Sequence, residues 1–397
     1  MFLLPFNFLR FEAAYFTASD FLCLTSIGLR LLSGGLPLRP FGAGTPFWLF
    51  GGALMAGAML LSSILFGDAQ RGFIVTAQYL YTFHLIPLVV LGRDWRRTIA
   101  LVYAFVLAIV VMCVFGVYLI HIDGQTHTRF VSGSGRLRSF IERSNECASV
   151  IAMTAPLILW RFEAGRLRRL TTMCLIGLCI YATMLTGSNS GLAALIFAVG
   201  CFLLFALTPK RLVLATLASA AAVAALLIVG RDYLPPVFRE RVLSALESGD
   251  LEQAGTFGGR LALMLESIDL ADRAMVLGMG ADRYRVLSAW EAPVHNAYLL
   301  IWNEGGLLAL VGFAVILLGF AIAGLEAAAR AGGRIHTAAA VCTLAPFALL
   351  INAAPHVYGR FWVGPILCGL AIARAFAESG PPPSLGVGRA ASPRVAR

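Results

Sequence analysis

The sequence predicts an all-α integral membrane protein with about eleven (ten to twelve) membrane-spanning helices. Three observations lead to this fold class. Hydrophobic residues make up 59% of the chain and charged residues only 13%, whereas soluble domains average roughly 25% charged residues. The apolar residues form long runs, and about 20 such residues are enough to cross the hydrocarbon core of a bilayer. Short arginine-rich segments separate several of these runs, as is typical of loops that set orientation in a membrane.

Candidate spans follow one another along the whole chain. The first contains Asp20, and the fifth and sixth are short, so flanking residues or a thin local bilayer must complete their crossing. Together the spans form one polytopic domain over residues 1–377, and we expect the Pro- and Arg-rich tail at 378–397 to be disordered. The spans lie near residues 13–32, 47–67, 73–91, 98–120, 146–160, 171–187, 190–207, 211–230, 296–323, 336–352 and 358–377.

Arginines predict the orientation of the chain. Four short basic loops should face the cytoplasm under the positive-inside rule, and they lie at 92–97, 161–169, 208–211 and 325–333. The segments 121–145 and 231–295 then face the other side. The second of them is the largest polar segment of the protein and should contain short helices. The net charge of +10 therefore follows from membrane topology, and nucleic acid is not an expected partner. The tail would lie in the cytoplasm.

Several kinds of soluble enzyme are excluded by the motifs that the sequence lacks. The eight cysteines are scattered in or beside apolar segments without CxxC spacing, so neither a disulfide framework nor a zinc site is indicated. The sequence contains no GxxxxGK[ST] phosphate loop, no HExxH metal pair and no clear nucleophile elbow. We therefore expect neither a metal nor a cofactor.

The first of four polar clusters on the predicted outer side spans residues 132–148. It contains Arg136, Arg138 and Arg143 and places Asn145 at the start of a helix. Arginines on this side run against the positive-inside bias, and a guanidinium group suits phosphate oxygens. The sequence therefore favours an anionic ligand over a merely solvated loop. Asn145 is either a helix N-cap or part of this site.

Two further clusters have a structural and a functional interpretation. The stretch "LTGSNSG" at 185–191 is a tight turn whose Gly, Ser and Asn residues explain it structurally. In the segment 256–286, Arg260 opens an amphipathic helix that Gly278 and Gly280 are predicted to end. Such a helix can simply lie in the membrane interface, but Arg260 behind two glycines is also a candidate anion contact.

The fourth cluster begins at His295, at the outer end of a span. We expect this histidine to lie in or near water with a pKa close to neutral, where it could act as a base, cap the helix or bind a headgroup. Glu304 lies nine residues further along the same helix. This separation corresponds to about 900 degrees of rotation and roughly 13 Å of depth, so the side chains of His295 and Glu304 should lie on opposite faces and not pair. Glu304 should find a partner on another helix or face a wet cavity, because an unpaired charge in a membrane costs several kcal/mol.

The order of these motifs resembles that of the bacterial O-antigen ligase and O-antigen polymerase superfamily of polytopic glycosyltransferases. The resemblance covers residues 130–320 and rests on "RLRSFIERSNECA", "LTGSNSG", "GGRLALMLESIDL" with "VLGMG", and "VHNAYLLIWNEGGLLAL". Relatives usually have an arginine where this chain has Asn189. The resemblance implies a donor glycan on undecaprenyl diphosphate, and an acceptor hydroxyl on lipid A core or on another lipid-linked glycan. It also implies a multi-pass protein of the bacterial inner membrane, surrounded by membrane lipid, with its active site facing the periplasm.

The resemblance also implies roles for single residues. His295 would take the proton of the acceptor hydroxyl, and Arg260 would be the essential arginine of the large loop. Positive charge from arginines would stabilise the departing diphosphate without a metal. The residues expected to bind this diphosphate are Arg136, Arg138 and Arg143. The supporting residues are Asn145, Asn296, which would orient His295, and Glu304, which would help to hold the helix.

The sequence leaves the choice of acceptor open. A ligase passes the glycan to a final acceptor such as lipid A core, whereas a polymerase adds it to a new lipid-linked repeat unit, in O-antigen or exopolysaccharide assembly. A transporter or flippase of a lipid-linked glycan is the alternative from another class. Such transporters often contain internal repeats and charges near the bilayer midplane, whereas the polar groups here gather in the outer loops.

Overall fold

The computed structural model of the protein describes residues 1–11, 15–92, 94–160, 166–249 and 257–382. These residues form a helical bundle, and the predicted all-α class is confirmed. The predicted cytoplasmic loop at 161–169 is described only from residue 166. Most of the predicted tail lies outside the described residues, and the last helix continues to Ser379.

The chain begins with a short hairpin in which strand β1 (Arg10–Phe11) pairs antiparallel with strand β2 (Phe16–Thr17). Helix α1 (Ala18–Leu32) follows directly. Asp20 accepts a hydrogen bond from the backbone N–H of Thr17 at 2.9 Å, in a capping box that fixes the start of the helix. The sequence placed the start of this span near residue 13, whereas the helix begins at Ala18, directly after strand β2.

The remaining helices follow in chain order, and a π-helical turn, Tyr81–Leu85, joins the third to the fourth. They are α2 (Thr45–Phe66), α3 (Ala69–Leu80), α4 (Ile86–Val90), α5 (Trp95–His121), α6 (Ser144–Trp160), α7 (Arg166–Thr186), α8 (Asn189–Ala206), α9 (Pro209–Ile228), α10 (Pro236–Phe238), α11 (Ser244–Ser248), α12 (Phe257–Arg273), α13 (Arg283–Leu287), α14 (Ala297–Leu325), α15 (Arg334–Leu350) and α16 (Arg360–Ser379).

Nine helical segments within the described residues are long and apolar enough to cross a membrane. They include α3 and α4 as one segment and all of α14. Helices α1 and α6 occupy the other two predicted spans but have only 15 and 17 residues. Nearly every residue of α6 is buried among other helices, so this helix is shielded from lipid by protein. The count of about eleven spans remains a prediction.

Helices α2 and α14 approach each other closely through glycines. A side chain at Gly44 would lie 2.1 Å from the carbonyl oxygen of Gly319, and one at Gly51 would lie 2.6 Å from that of Gly312. Small residues at these positions let two helix backbones meet, which is a common way to pack helices in membranes. This contact fixes α14 and therefore the position of the polar residues at its start.

Three connections meet at one end of the bundle, which we call the loop end. They are residues 122–143, residues 229–249 together with 257–296, and residues 354–359. Hydrogen bonds and charge contacts run between them or to neighbouring helix ends. The polar clusters predicted for the outer side therefore lie together.

Candidate active site

The segment that follows α12 is hydrogen-bonded to the backbone of α14. The N–H of Met279 donates to the carbonyl of Asn303 at 2.8 Å, and the N–H of Gly280 donates to the carbonyl of Glu304 at 2.9 Å. Helix α14 is kinked at Gly306, which has φ 73° and ψ −177°. The kink leaves helix carbonyls unsatisfied, and the loop segment supplies their partners.

Glycines make this contact possible. A side chain at Gly278 would lie 2.4 Å from the backbone nitrogen of Gly306, and one at Gly306 would lie 2.0 Å from the carbonyl oxygen of Val276. The sequence predicted that Gly278 and Gly280 end α12, but that helix already ends at Arg273. The glycines instead allow two backbones to approach closely, at positive φ angles that other residues rarely adopt.

Glu304 connects α14 to the same segment. Its side chain is only 5% exposed, and Oε1 accepts a hydrogen bond from the backbone N–H of Asp282 at 2.9 Å. We expected a partner on another helix or a wet cavity, and the partner is instead the loop backbone at the start of α13. Glu304 therefore holds the loop against the helix that begins next to His295.

Asn296 is the N-cap of α14. Its Oδ1 accepts a hydrogen bond from the N–H of Leu299 at 3.1 Å, and its Nδ2 donates to Oδ1 of Asn352 at 3.3 Å. These bonds do not go to His295, so Asn296 does not orient the histidine by hydrogen bonding as the resemblance suggested. It fixes the first turn of the helix, and His295 is the residue immediately before it.

Arg136 is held at the ends of two helices. Its Nε donates to the carbonyl of Thr186 at 2.8 Å, at the end of α7, where the helix dipole favours a cation. Its Nη2 donates to Oδ1 of Asn145 at 2.7 Å. Asn145 lies in the first turn of α6, so its side chain serves Arg136 and the simple N-cap interpretation does not apply.

Four arginines form a cluster around this point, which we call the arginine cluster. Burial, and to a smaller extent the nearby positive charges of Arg241, Arg260 and Arg138, lower the pKa of Arg136 to about 10. Arg136 still remains cationic at neutral pH. Like charges that are partly removed from water repel one another, so this arrangement favours an anionic ligand. The cluster consists of Arg136, Arg138, Arg241 and Arg260.

Arg241 is a member of the cluster that the sequence did not indicate. It lies in the segment between α9 and α12, and a side chain at Gly187 would lie 3.3 Å from its Cδ. It therefore packs beside the turn "LTGSNSG". In that turn Ser188 is the N-cap of α8 and accepts a hydrogen bond from the N–H of Gly191 at 3.2 Å, as the structural interpretation predicted.

His295 lies near both Arg260 and Arg143. Burial lowers the pKa of His295 from its ordinary value, and the charges of Arg260 and Arg143 lower it further. The imidazole is therefore neutral at neutral pH. Nδ1 of His295 and Nε of Arg260 are buried and have no hydrogen-bond partner within the part of the chain that the structure describes. Both atoms lie where an additional polar group would satisfy them.

A second histidine, His356, also lies at the loop end. It lies between α15 and α16. Burial, together with interactions with Arg143, His295 and Arg285 and against an opposing interaction with Asp282, lowers its pKa to about 4. Arg143 thus faces both histidines, while Arg136 and Arg138 belong to the arginine cluster. Sequence reasoning missed His356 because it lies about 36 residues beyond the region covered by the motifs, and no local pattern marks it.

Residues 174–314 match the protein family described as O-antigen ligase. Over these residues, the match supports a relation to the O-antigen ligase and polymerase superfamily. The matched region extends from α7 into α14, and it contains Arg241, Arg260, His295 and Glu304. The first loop, with Arg136, and the segment with His356 lie outside the match. No curated protein matches the chain.

The described residues contain no group of three or more His, Cys, Asp or Glu side chains that could hold a metal ion. Metal independence remains a prediction. The cationic side chains of the arginine cluster are the groups that could neutralise a diphosphate at the loop end.

Proposed function

We propose that the protein transfers a glycan from undecaprenyl diphosphate to an acceptor hydroxyl at the periplasmic face of the bacterial inner membrane. The acceptor is lipid A core or a second lipid-linked glycan, in O-antigen or exopolysaccharide assembly. The family match supports glycan transfer of the ligase or polymerase type. The observation that carries the proposal is the position of His295 beside Arg260 of the arginine cluster, where Nδ1 of His295 and Nε of Arg260 are both buried without a hydrogen-bond partner among the described residues.

The chemistry of transfer needs one base and one anion-binding group. The imidazole of His295 takes the proton of the acceptor hydroxyl, and the acceptor oxygen forms a bond to the anomeric carbon of the donor glycan. The bond between this carbon and the diphosphate oxygen breaks, and its electron pair leaves with undecaprenyl diphosphate. The arginine cluster stabilises the negative charge that develops on the leaving group. The proton then passes from His295 to water.

The remaining polar residues hold these groups in place. Asn145 accepts the hydrogen bond of Arg136 and holds its guanidinium at the start of α6. Glu304 and Asn296 fix the loop and the helix start on either side of His295. The charge of Arg143 near His295 adds to the attraction for an anionic donor.

The direct test is transfer by the purified full-length protein in lipid nanodiscs, with undecaprenyl-diphosphate glycan as donor. His295→Ala and Arg260→Ala should each abolish transfer and leave membrane insertion intact. Matched controls are His121→Ala, an exposed histidine that contacts Tyr181, and Arg283→Ala, an exposed arginine at the start of α13. Normal transfer by both site variants would overturn the assignment.

Product size separates the two kinds of transferase. A ladder of lengthened lipid-linked glycans indicates a polymerase, and a single transfer to lipid A core indicates a ligase. Movement of the donor across the membrane without a new glycosidic bond would instead support a transporter or flippase.

A further inference from the structure

The segment 354–359 lies close to His295 at the loop end. Asn296, the residue after His295, donates a hydrogen bond from Nδ2 to Oδ1 of Asn352 at 3.3 Å, just before this segment, and His356 within the segment interacts electrostatically with His295. Residues from three different parts of the chain surround this second histidine: Arg143 precedes α6, while Asp282 and Arg285 lie at the start of α13. The ring centroid of His356 is 5.3 Å from that of Tyr358. The segment therefore forms one wall of the candidate site, and nothing in the transfer chemistry described above uses it.

A buried ion pair holds this segment. Arg360, the first residue of α16, donates from Nε and Nη2 to the two carboxylate oxygens of Asp20 at 2.8 and 2.9 Å. The two side chains are 2% and 0% exposed. Nη1 of Arg360 also donates to the carbonyl of Tyr358 at 2.8 Å. The start of α1 is therefore linked to the backbone two residues away from His356.

Further contacts use the rest of the same guanidinium. Nη2 donates to Oε1 of Gln78 at 2.6 Å, and Nη1 donates to Oγ1 of Thr82 at 3.0 Å. The hydroxyl of Thr82 donates in turn to the carbonyl of Tyr358 at 2.6 Å. Burying an ion pair is a poor source of stability, because desolvation offsets the attraction between the charges. A network this complete instead specifies one conformation of the segment that it binds.

Ring packing fixes the same segment from another direction. The ring of Tyr358 makes edge contacts with Tyr79 and Tyr15, with centroids 5.3 and 5.9 Å apart. Tyr358 is thus held both by its carbonyl and by its ring, and the position of the neighbouring His356 follows.

We propose that segment 354–359 forms the acceptor side of the site, with His356 contacting a sugar hydroxyl of the acceptor glycan and the Asp20–Arg360 pair positioning it. This inference rests on the proposed function. A neutral imidazole donates one hydrogen bond and accepts another, which suits hydroxyl groups, whereas guanidinium groups only donate and suit phosphates. The carboxylate of nearby Asp282 adds a second acceptor. His295 is near both kinds of group, where the donor and the acceptor hydroxyl must meet.

The test measures the binding of donor and acceptor fragments separately, under conditions in which no glycan can be transferred. Undecaprenyl diphosphate, lipid A core oligosaccharide and lipid-free repeat-unit oligosaccharide are titrated separately against the full-length protein in nanodiscs. His356→Ala should weaken binding of an oligosaccharide about tenfold, as expected for one lost hydrogen bond that leaves its partner unsatisfied. Binding of undecaprenyl diphosphate should not change. His356→Gln, which keeps a donor and an acceptor, should restore most of the affinity, and His121→Ala should have no effect.

A substitution in the Asp20–Arg360 pair provides an independent test. Asp20→Asn leaves an acceptor oxygen but removes the charge, so it should raise the KM for the acceptor and leave the KM for the donor nearly unchanged. It should also lower the melting temperature, because Arg360 becomes a buried cation without its counter-charge. Equal weakening of donor and acceptor binding in His356→Ala, no weakening of either, or no oligosaccharide binding by the wild-type protein would overturn the inference. A wild-type protein that binds oligosaccharide through His356 but transfers nothing would contradict the proposed function alone.

Discussion

Oε1 of Glu304 accepts a hydrogen bond from the backbone N–H of Asp282 at 2.9 Å, although the two residues belong to different structural elements. One lies within a helix long and apolar enough to span a membrane, and the other starts a short helix of the polar loop. An acidic side chain is costly in such a helix unless it has a partner, and here the partner is the loop. The bond therefore couples the fold of the membrane domain to the position of the loop that carries Arg260.

Removing this bond should loosen the loop. Glu304→Ala leaves the N–H of Asp282 without its acceptor, which costs about 1–3 kcal/mol for a buried group. Glu304→Gln keeps an oxygen at the same place and should lose much less. Thermal unfolding of the purified protein measures both, with Asp272→Ala as a control at an exposed acidic residue of α12. Equal melting temperatures for Glu304→Ala and the wild type would contradict this role.

The backbone contact at Gly306 should tolerate no side chain. In Gly306→Ala the new Cβ would lie 2.0 Å from the carbonyl oxygen of Val276, and φ is 73°, so we expect a loss of several kcal/mol and little folded protein. Gly57→Ala is the matched control, because a Cβ at this helical position of α2 meets nothing within 4 Å. The yield of monodisperse protein after purification reports the difference. Wild-type yield from Gly306→Ala would show that the loop does not pack on α14 in this way.

The sequence predicted the helices well and their polar contacts poorly, for a physical reason. Length and hydropathy determine which segments can cross a bilayer, so the long apolar runs are found without knowledge of any neighbour. The role of Gly278 depends on the backbone of Gly306, which belongs to another element. A glycine alone therefore suggests a helix end, and only the packed structure shows a close contact.

The residues of the candidate site were predicted incompletely for the same reason. His295 and Arg260 stand in recognisable patterns, whereas Arg241 and His356 are marked only by the residues that surround them in space. Asp20 was visible as a charge within the first span, but its partner Arg360 lies 340 positions further along the chain. A single sequence shows that a buried charge needs a partner and does not show which residue provides it.

The activity of the protein should fall at acidic pH as His295 becomes protonated. A protonated imidazole cannot accept the proton of the hydroxyl. Burial lowers the pKa of His295, and the positive charges of Arg260 and Arg143 lower it further. The acidic limb of kcat/KM should therefore have its midpoint below the ordinary value of about 6.5. Arg143→Ala removes one of the nearby positive charges and should move this midpoint to higher pH. The pH profile of transfer is the measurement.

Two comparisons make the pH experiment specific. His121→Ala should leave the profile unchanged, because this exposed histidine contacts Tyr181 at the end of α5. The pKa of His356 is lowered to about 4, so its protonation should not produce the limb. A midpoint that does not respond to Arg143→Ala, or that lies clearly above the ordinary histidine value, would contradict the assignment of His295 as the base.

Arg241 should contribute to donor binding although no sequence motif contains it. It adds positive charge beside Arg136, and a hydrogen bond to a charged group contributes about 1.5–3 kcal/mol. Arg241→Ala should therefore raise the KM for the lipid diphosphate donor by about tenfold or more and leave the KM for the acceptor unchanged. The effect should shrink at high salt, because screening weakens the attraction between separated charges.

A neighbouring arginine provides the control for this measurement. Arg239 is partly exposed, and its Nη1 lies 3.9 Å from a carboxylate oxygen of Asp232. Arg239→Ala therefore removes the same charge from the same segment without changing the arginine cluster. If long-range attraction alone explained the effect, both variants would raise the donor KM equally. A larger change for Arg241→Ala requires a local contact with the diphosphate, because the two variants have the same net charge.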